Sequence, residues 1–349
     1  MAIRIPRTPE RSPRRVSVRA LLVRLPRLVH TLPRVDLRLR ETPVERWAVE
    51  DVALLIKRDD LSAPTLGGNK VRALELLLAR LGRKQTLLTV GASGSTHALA
   101  VAQYGARLGA QTEVITWPQL THDVSRATTR RLERIAHVTV ARSPLDAYLR
   151  AGIRRMRGKF RWIPAGGSVP LGALGHVSAA LELVEQLERD SIPLPHTLVV
   201  PLGSGGTVAG LLVGFALAGV TIRVVGVQVV PRVVANRWRV LRLARGTRAL
   251  LAKLSGETIP PLDDALFDID DAWYGGAYAR ETDAAREAAR ALASSGGPTL
   301  DATYSAKAFA SALARARATP DGGVLFWLTF DARWLDDAHV APRVLRPPR

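Results

Sequence analysis

Residues 197–222 read TLVVPLGSGGTVAGLLVGFALAGVTI. From Leu198 to Ile222 there is no charged side chain, and these 25 residues are long enough to span a bilayer. The punctuation argues against that. Pro201 and the run Gly203-Ser204-Gly205-Gly206 divide the stretch into a strand over Thr197–Val200, a glycine turn and a helix over Thr207–Leu217. A further strand, Ile222–Val229, follows. Strand, turn, helix and strand without a charged face make an α/β unit buried on both sides.

The same alternation runs outward in both directions. Strands are predicted at Val52–Lys57, Thr86–Val90, Glu113–Trp117, His137–Val140 and Gly323–Thr329. Helices are predicted over Val71–Leu81, Ala98–Leu108, Ser125–Ile135, Asp146–Arg155, Gly172–Glu188, Glu281–Ala293 and Ser305–Ala316. Alternating strands and helices indicate parallel sheets covered on both faces. The segment Pro231–Trp273 is the least regular and reads as helix with loops.

Composition narrows the function. At 349 residues and 47% hydrophobic, the chain can bury a large core and is not a disordered protein. Zero cysteines excludes disulfides, thiolate metal sites and cysteine nucleophiles, and suits a reducing compartment. The net charge is +19, but much of it lies in residues 1–40, which hold eleven arginines and two acids. The remaining arginine is scattered and aromatics are 5%, with no interleaved basic–aromatic stripe. Neither a nucleic-acid nor a membrane partner is expected. Residues 1–31 read as an Arg-rich, disordered extension rather than a transit peptide, because the prolines spoil an amphipathic helix.

Three turns could carry chemistry. In Leu66–Lys70 (LGGNK) two glycines allow close backbone approach, and Lys70 opens a helix. There the positive end of the helix dipole favours the neutral amine that a Schiff-base nucleophile needs. In Gly91–His97 (GASGSTH), Ser95 and Thr96 can cap a helix and receive an anion such as a carboxylate. In Gly203–Thr207 (GSGGT), consecutive N–H groups can form a nest for phosphate. Each has an ordinary reading alone, as a solvated lysine, a capped turn or a glycine-rich loop. The third also fits a dinucleotide fingerprint loosely, which would require NAD(P) and no Lys70. Together they are what an enzyme holding pyridoxal 5′-phosphate needs.

The run Lys57–Glu75, KRDDLSAPTLGGNKVRALE, resembles the signature of the 1-aminocyclopropane-1-carboxylate deaminase/D-cysteine desulfhydrase family. Ile163–Leu174 (IPAGGSVPLGAL), Pro201–Leu211 and Leu300–Phe309 (LDATYSAKAF) resemble further segments of it, so the likeness runs from about Leu32 to Phe330. The resemblance implies an α/β, tryptophan synthase β-like fold (fold type II), with two open parallel-sheet domains and the cofactor between them. Residues 32–72 and 190–349 would form the larger, pyridoxal-phosphate-binding domain, and residues 73–189 the smaller. Lys70 would bind the cofactor covalently, supported by Asn69, and Gly203, Ser204, Gly205, Gly206 and Thr207 would hold its phosphate. Ser95, Thr96 and His97 would receive the substrate carboxylate, Thr96 would also meet the cofactor, and Ser95 would be a catalytic hydroxyl. Tyr278 and Tyr304 would stand as catalytic aromatics near the substrate, with Ser305 at the pyridine nitrogen.

A hydroxyl at position 305, rather than a carboxylate, favours a neutral pyridine and a weaker electron sink. That suits α-proton removal with prompt loss of a β-thiolate. The expected function is therefore β-elimination from a small amino acid of the D-cysteine type, releasing a 2-oxo acid and ammonia, by a cytoplasmic homodimer. The alternatives are ring opening of 1-aminocyclopropane-1-carboxylate, or a pyridoxal-phosphate-binding relative with lost or altered catalysis. The departures that bear on this are Thr96 and Val169 where the family has Asn, and Gly275–Thr282 (GGAYARET) and Leu328–Asp331 (LTFD), which lack family glycines.

Overall fold

The computed structural model describes residues 18–82, 85–120, 122–319 and 323–335. Ten strands run in chain order: β1 Val44–Val49, β2 Val52–Lys57, β3 Thr86–Ala92, β4 Thr112–Trp117, β5 His137–Val140, β6 Phe160–Ile163, β7 Thr197–Leu202, β8 Arg223–Gln228, β9 Phe267–Asp270 and β10 Val324–Trp327. The α-helices are α1 Arg19–Arg24, α2 Leu28–Thr31, α3 Asn69–Leu77, α4 Thr96–Arg107, α5 Asp123–Ile135, α6 Pro144–Arg157, α7 Pro170–Arg189, α8 Gly206–Ala218, α9 Arg237–Ser255, α10 Asp283–Ser294 and α11 Ser305–Ala318.

The strands form two sheets. One has six strands in the order β1-β2-β10-β7-β8-β9, the other four in the order β5-β4-β3-β6. All pairings are parallel except β1 with β2, which are antiparallel with Val44 opposite Lys57. The sheets are parallel as expected, with one antiparallel edge strand added to the larger. Only Glu50 and Asp51 separate the two strands, so they pair as a hairpin, with Glu50 at φ 55°.

Helix α8 is apolar around its whole circumference because it is enclosed. It lies between the six-stranded sheet and α7, and nearly every residue from Gly206 to Leu217 is buried. Gly214 lets α7 approach, since a Cβ there would lie 2.8 Å from the Val177 carbonyl oxygen. Helix α9 supplies order in the stretch that read as irregular. Its N-cap, Asn236, accepts a hydrogen bond from the Arg239 N–H.

The N-terminal extension is not disordered from Val18 onward. Helices α1 and α2 bury Val18, Leu21, Leu25, Leu28 and Leu32 against Leu174, Val177, Leu181, Val213 and Leu251 of α7, α8 and α9. The 4-3-4 spacing of those leucines forms one apolar stripe, and burying it outweighs the arginines that point away. Residues 1–17 lie outside the described residues.

A buried ionic network fixes the start of α3. Lys57 Nζ, at the end of β2, donates to Glu182 Oε1 of α7 at 2.8 Å and to the Thr42 carbonyl at 2.6 Å. Arg72 Nη1 donates to Glu182 Oε2 at 3.1 Å, and its Nε to Asp59 Oδ1 at 2.7 Å. Arg72 and Lys57 hold Glu182 down to about 2, against the push of burial in the other direction. Three charged residues of the KRDD…KVR signature thus join β2, α3 and α7 rather than facing a ligand.

Candidate active site

The turn before α3 is built from glycines that nothing else could replace. Gly68 sits at φ 90°, and a Cβ there would overlap the Thr329 carbonyl oxygen. A Cβ on Gly67 would overlap the Asp60 carbonyl oxygen. The backbone N–H groups are spoken for as well. Gly67 donates to Asp331 Oδ2 at 2.9 Å and Asn69 to the Thr329 carbonyl at 3.2 Å. The segment Leu328–Asp331 following β10 thus clamps the lysine turn.

Lys70 lies in the first turn of α3, half-buried in the wall of a cleft. Burial pushes its ammonium down to about 8. The physical source of that shift is desolvation in the cleft wall, and among the described residues no carboxylate pairs with the amine to offset it.

The turn between β7 and α8 forms the opposite wall. Gly203, Ser204, Gly205, Gly206 and Thr207 all line the cleft with Asn69, Lys70, Thr96 and Tyr304. Gly205 adopts φ 87°, the left-handed conformation that favours glycine, at the N-cap of α8. Thr207 Oγ1 accepts from Asn69 Nδ2 at 2.8 Å, joining the lysine turn to the glycine turn. Two segments that are 138 positions apart in sequence thus meet side by side.

Tyr304 stands over Gly203; a Cβ on that glycine would lie 3.6 Å from Tyr304 Cε1. Its hydroxyl bonds the Tyr278 hydroxyl, and the rings meet edge to face with centroids 6.1 Å apart. Tyr278 lies behind Tyr304 rather than in the cleft wall. Burial raises both phenols, so both are protonated at neutral pH. The neighbouring Ser305 is fully buried; its N–H donates to Asp301 Oδ1 at 3.0 Å, but its Oγ has no partner among the described residues. Ser305 adjoins Tyr304 of the cleft wall but does not itself line the cleft.

The third turn divides its roles. Ser95 caps α4, its Oγ accepting from the Ala98 N–H at 3.2 Å, and Thr96 lines the cleft. His97 does not reach the cleft. It is buried beneath, with Nε2 3.4 Å from Thr89 Oγ1 and its ring bonded to the Pro164 carbonyl. Residue 97 follows the helix start by one position, and the 3.6-residue period turns it toward the sheet while Thr96 faces out. The expectation that His97 receives substrate is corrected accordingly.

Sequence reasoning missed Ser168, Thr329 and Phe330, which also line the cleft. Ser168 followed two glycines in a quoted segment, and that was the available signal. Phe330 packs edge to face on Trp334, with centroids 6.3 Å apart. The residues present fit a phosphorylated pyridoxal. They provide an amine without a counter-charge, a glycine turn at a helix N-terminus for a dianion and, next to Tyr304 of the cleft wall, a buried hydroxyl without a partner among the described residues. Among the described residues no helix is long and apolar enough to cross a membrane.

Comparison with known proteins agrees with this geometry. Residues 35–329 match the model of the pyridoxal-phosphate dependent enzyme family. The D-cysteine desulfhydrase of Salmonella typhi is 32% identical over 313 residues, covering 84% of this chain and 92% of that protein. The D-cysteine desulfhydrase of Salmonella paratyphi A is 33% identical over 314 residues, with the same coverage. The crystal structure of an ACC deaminase homologue superposes with a TM-score of 0.74 at 27% identity, covering 90% of this chain and 98% of that one. That of a T.th. threonine deaminase gives 0.61 at 22% identity, covering 90% and 97%, a likeness of fold.

Proposed function

Because the chain belongs to the family of pyridoxal-phosphate-dependent enzymes, we propose that it is a lyase acting on a small amino acid by β-elimination, with D-cysteine as the preferred type of substrate. The fold is the tryptophan synthase β-like fold type II. The products are a 2-oxo acid, ammonia and, from D-cysteine, sulfide. The single observation that carries the reading is the meeting of Lys70, with no counter-charge, and the Gly203–Thr207 nest in one cleft.

The cofactor, when bound, supplies an electron sink for negative charge developing at the substrate α-carbon. The remaining work belongs to the chain. The turn Gly203–Thr207 would hold the phosphate at the N-terminus of α8, aided by the helix dipole. Lys70 Nζ holds the cofactor and then takes the α-proton; its depressed pKa keeps a usable fraction of neutral amine near pH 8. The Ser305 hydroxyl would be the partner of the ring nitrogen, and being uncharged it would favour the neutral form of that nitrogen. Thr96, with the N–H groups at the start of α4, binds the substrate carboxylate, and Ser95 carries the hydroxyl beside it. Tyr304, held by Tyr278, closes the cleft over the substrate. Neutral phenols there exclude water without adding charge. A cytoplasmic homodimer remains part of this proposal, and sedimentation of the purified chain checks the association.

A second reading, opening of 1-aminocyclopropane-1-carboxylate, is favoured by the likeness to the ACC deaminase homologue. The test is a visible spectrum of the purified protein, followed by D-cysteine, L-cysteine and the cyclopropane. Wild-type protein should absorb near the visible edge and release sulfide from D-cysteine, and Lys70→Ala should do neither. An unchanged spectrum in Lys70→Ala, or turnover of the cyclopropane alone, would reject the proposal.

A further inference from the structure

The loop between β6 and α7 brings a second hydroxyl to the glycine turn. Ser168 Oγ accepts from the Gly206 N–H at 3.1 Å and lies 2.7 Å from Ser204 Oγ. Both serines line the cleft. Their closeness depends on glycine: a Cβ on Gly166 would overlap Ser204 Oγ, and one on Gly206 would lie 2.7 Å from Ser168 Oγ. Gly166 and Gly167 both take positive φ, 69° and 66°, which turns the loop so that Ser168 enters the glycine nest.

Counting protons decides what the pair can do. Two hydroxyls carry two O–H groups, and the bond between them uses one. If Ser204 donates, Ser168 has filled both lone pairs, with Ser204 O–H and Gly206 N–H, and its own proton is free. If Ser168 donates, the Ser204 proton is free. Neither oxygen has another acceptor within reach among the described residues. In either case one O–H remains, on two oxygens that face the cleft beside the turn proposed to hold a dianion.

The geometry points to Ser168 as a phosphate-binding residue, which together with Ser204 donates the unspent O–H to the phosphate of the cofactor. This rests on the reading of the cleft as a pyridoxal-phosphate site. Ser168 comes from the loop that leaves the four-stranded sheet, whereas Ser204 and Gly206 follow β7 of the six-stranded sheet. The phosphate is then gripped from both sheets, and its binding fixes their mutual placement.

The test uses protein freed of cofactor and titrated with pyridoxal 5′-phosphate, with pyridoxal lacking the phosphate, and with inorganic phosphate. Tryptophan fluorescence and thermal midpoint are the readouts. Ser168→Ala should weaken pyridoxal 5′-phosphate by about tenfold or more, as expected for a lost hydrogen bond to a charged group. Pyridoxal affinity should stay within about twofold, and the stabilisation by inorganic phosphate should fall away. Ser168→Thr, which keeps the hydroxyl, should recover much of the loss and guards against a folding defect in the alanine variant. Equal binding of pyridoxal 5′-phosphate by wild type and Ser168→Ala overturns the assignment. So does an equal loss for pyridoxal. Failure of the wild-type protein to bind pyridoxal 5′-phosphate at all would instead sink the reading of the cleft, and the assignment with it.

Discussion

Acid should unfold this protein through two imidazoles. His97 and His176 are only 5% and 4% exposed. Burial pushes each down to about 3, with the Lys70 charge adding to it for His97 and Arg72 for His176. In the unfolded chain both return to 6.5. Between those values the unfolded state binds the protons and the folded state refuses them. The stability is fully present above pH 6.5 and is lost progressively as the pH falls toward 3. At pH 4.5 each histidine has removed just under about 3 kcal/mol, and the two together about 5–6 kcal/mol. That is a large part of the 5–15 kcal/mol typical of a folded protein. Glu182, held at about 2, contributes mainly below its ordinary 4.5, beneath the pH range of the assay. The assay is urea unfolding at pH 7.5, 6.5, 5.5 and 4.5 in the same cofactor-saturated buffer, comparing wild type with His176→Gln. The two stability curves should converge by about 1.4 kcal/mol per pH unit between 6.5 and 4.5. Curves that stay parallel would refute the claim that His176 is held neutral by burial.

Two further outcomes follow from packing and charge. Glu182→Gln leaves Lys57 and Arg72 buried without their shared carboxylate and should cost about 3–5 kcal/mol in chemical denaturation; a loss under about 1 kcal/mol would show that the network carries no stability. Leu21→Ala should cost about 2–5 kcal/mol, while Val23→Ala on the exposed side of the same helix should stay within about 0.5 kcal/mol; equal effects would mean that α1 is not docked.

Much of this architecture was legible because long apolar periods leave little choice. The strands Val52–Lys57 and His137–Val140 were read with the bounds they have, and α7 and α8 to within a few residues at each end. The lysine and glycine turns were legible because glycine at a strand–helix junction has a steric meaning. What stayed hidden lay at short range or in the third dimension. β6 (FRWI) and β9 (FDID) carry charged residues and lack the β-branched run that marked β5 (HVTV) at the same length. β1 alternates half-buried and exposed residues beside a two-residue turn, and its glutamate and arginine masked it. In α1 and α2, arginine content concealed a leucine stripe that helical spacing alone could have revealed. His97 was placed one residue too near the cleft, since a motif names neighbours without stating which of them turns inward. No sequence rule tells that Asp331 reaches Gly67.

That last contact governs when the site can exist during synthesis. The Gly67 N–H and its acceptor are separated by 264 positions, and Thr329, which receives the Asn69 N–H, is almost as remote. A ribosome that has made the lysine turn must translate nearly the whole remaining chain before the partners of that turn are born. Until then the amine has the partners of α3 made earlier, through Arg72 and Asn69, but a fragment ending before β10 lacks the clasp on the turn itself. The enzyme's reactive group is thus among the first chemically important residues to emerge and among the last to be locked in place.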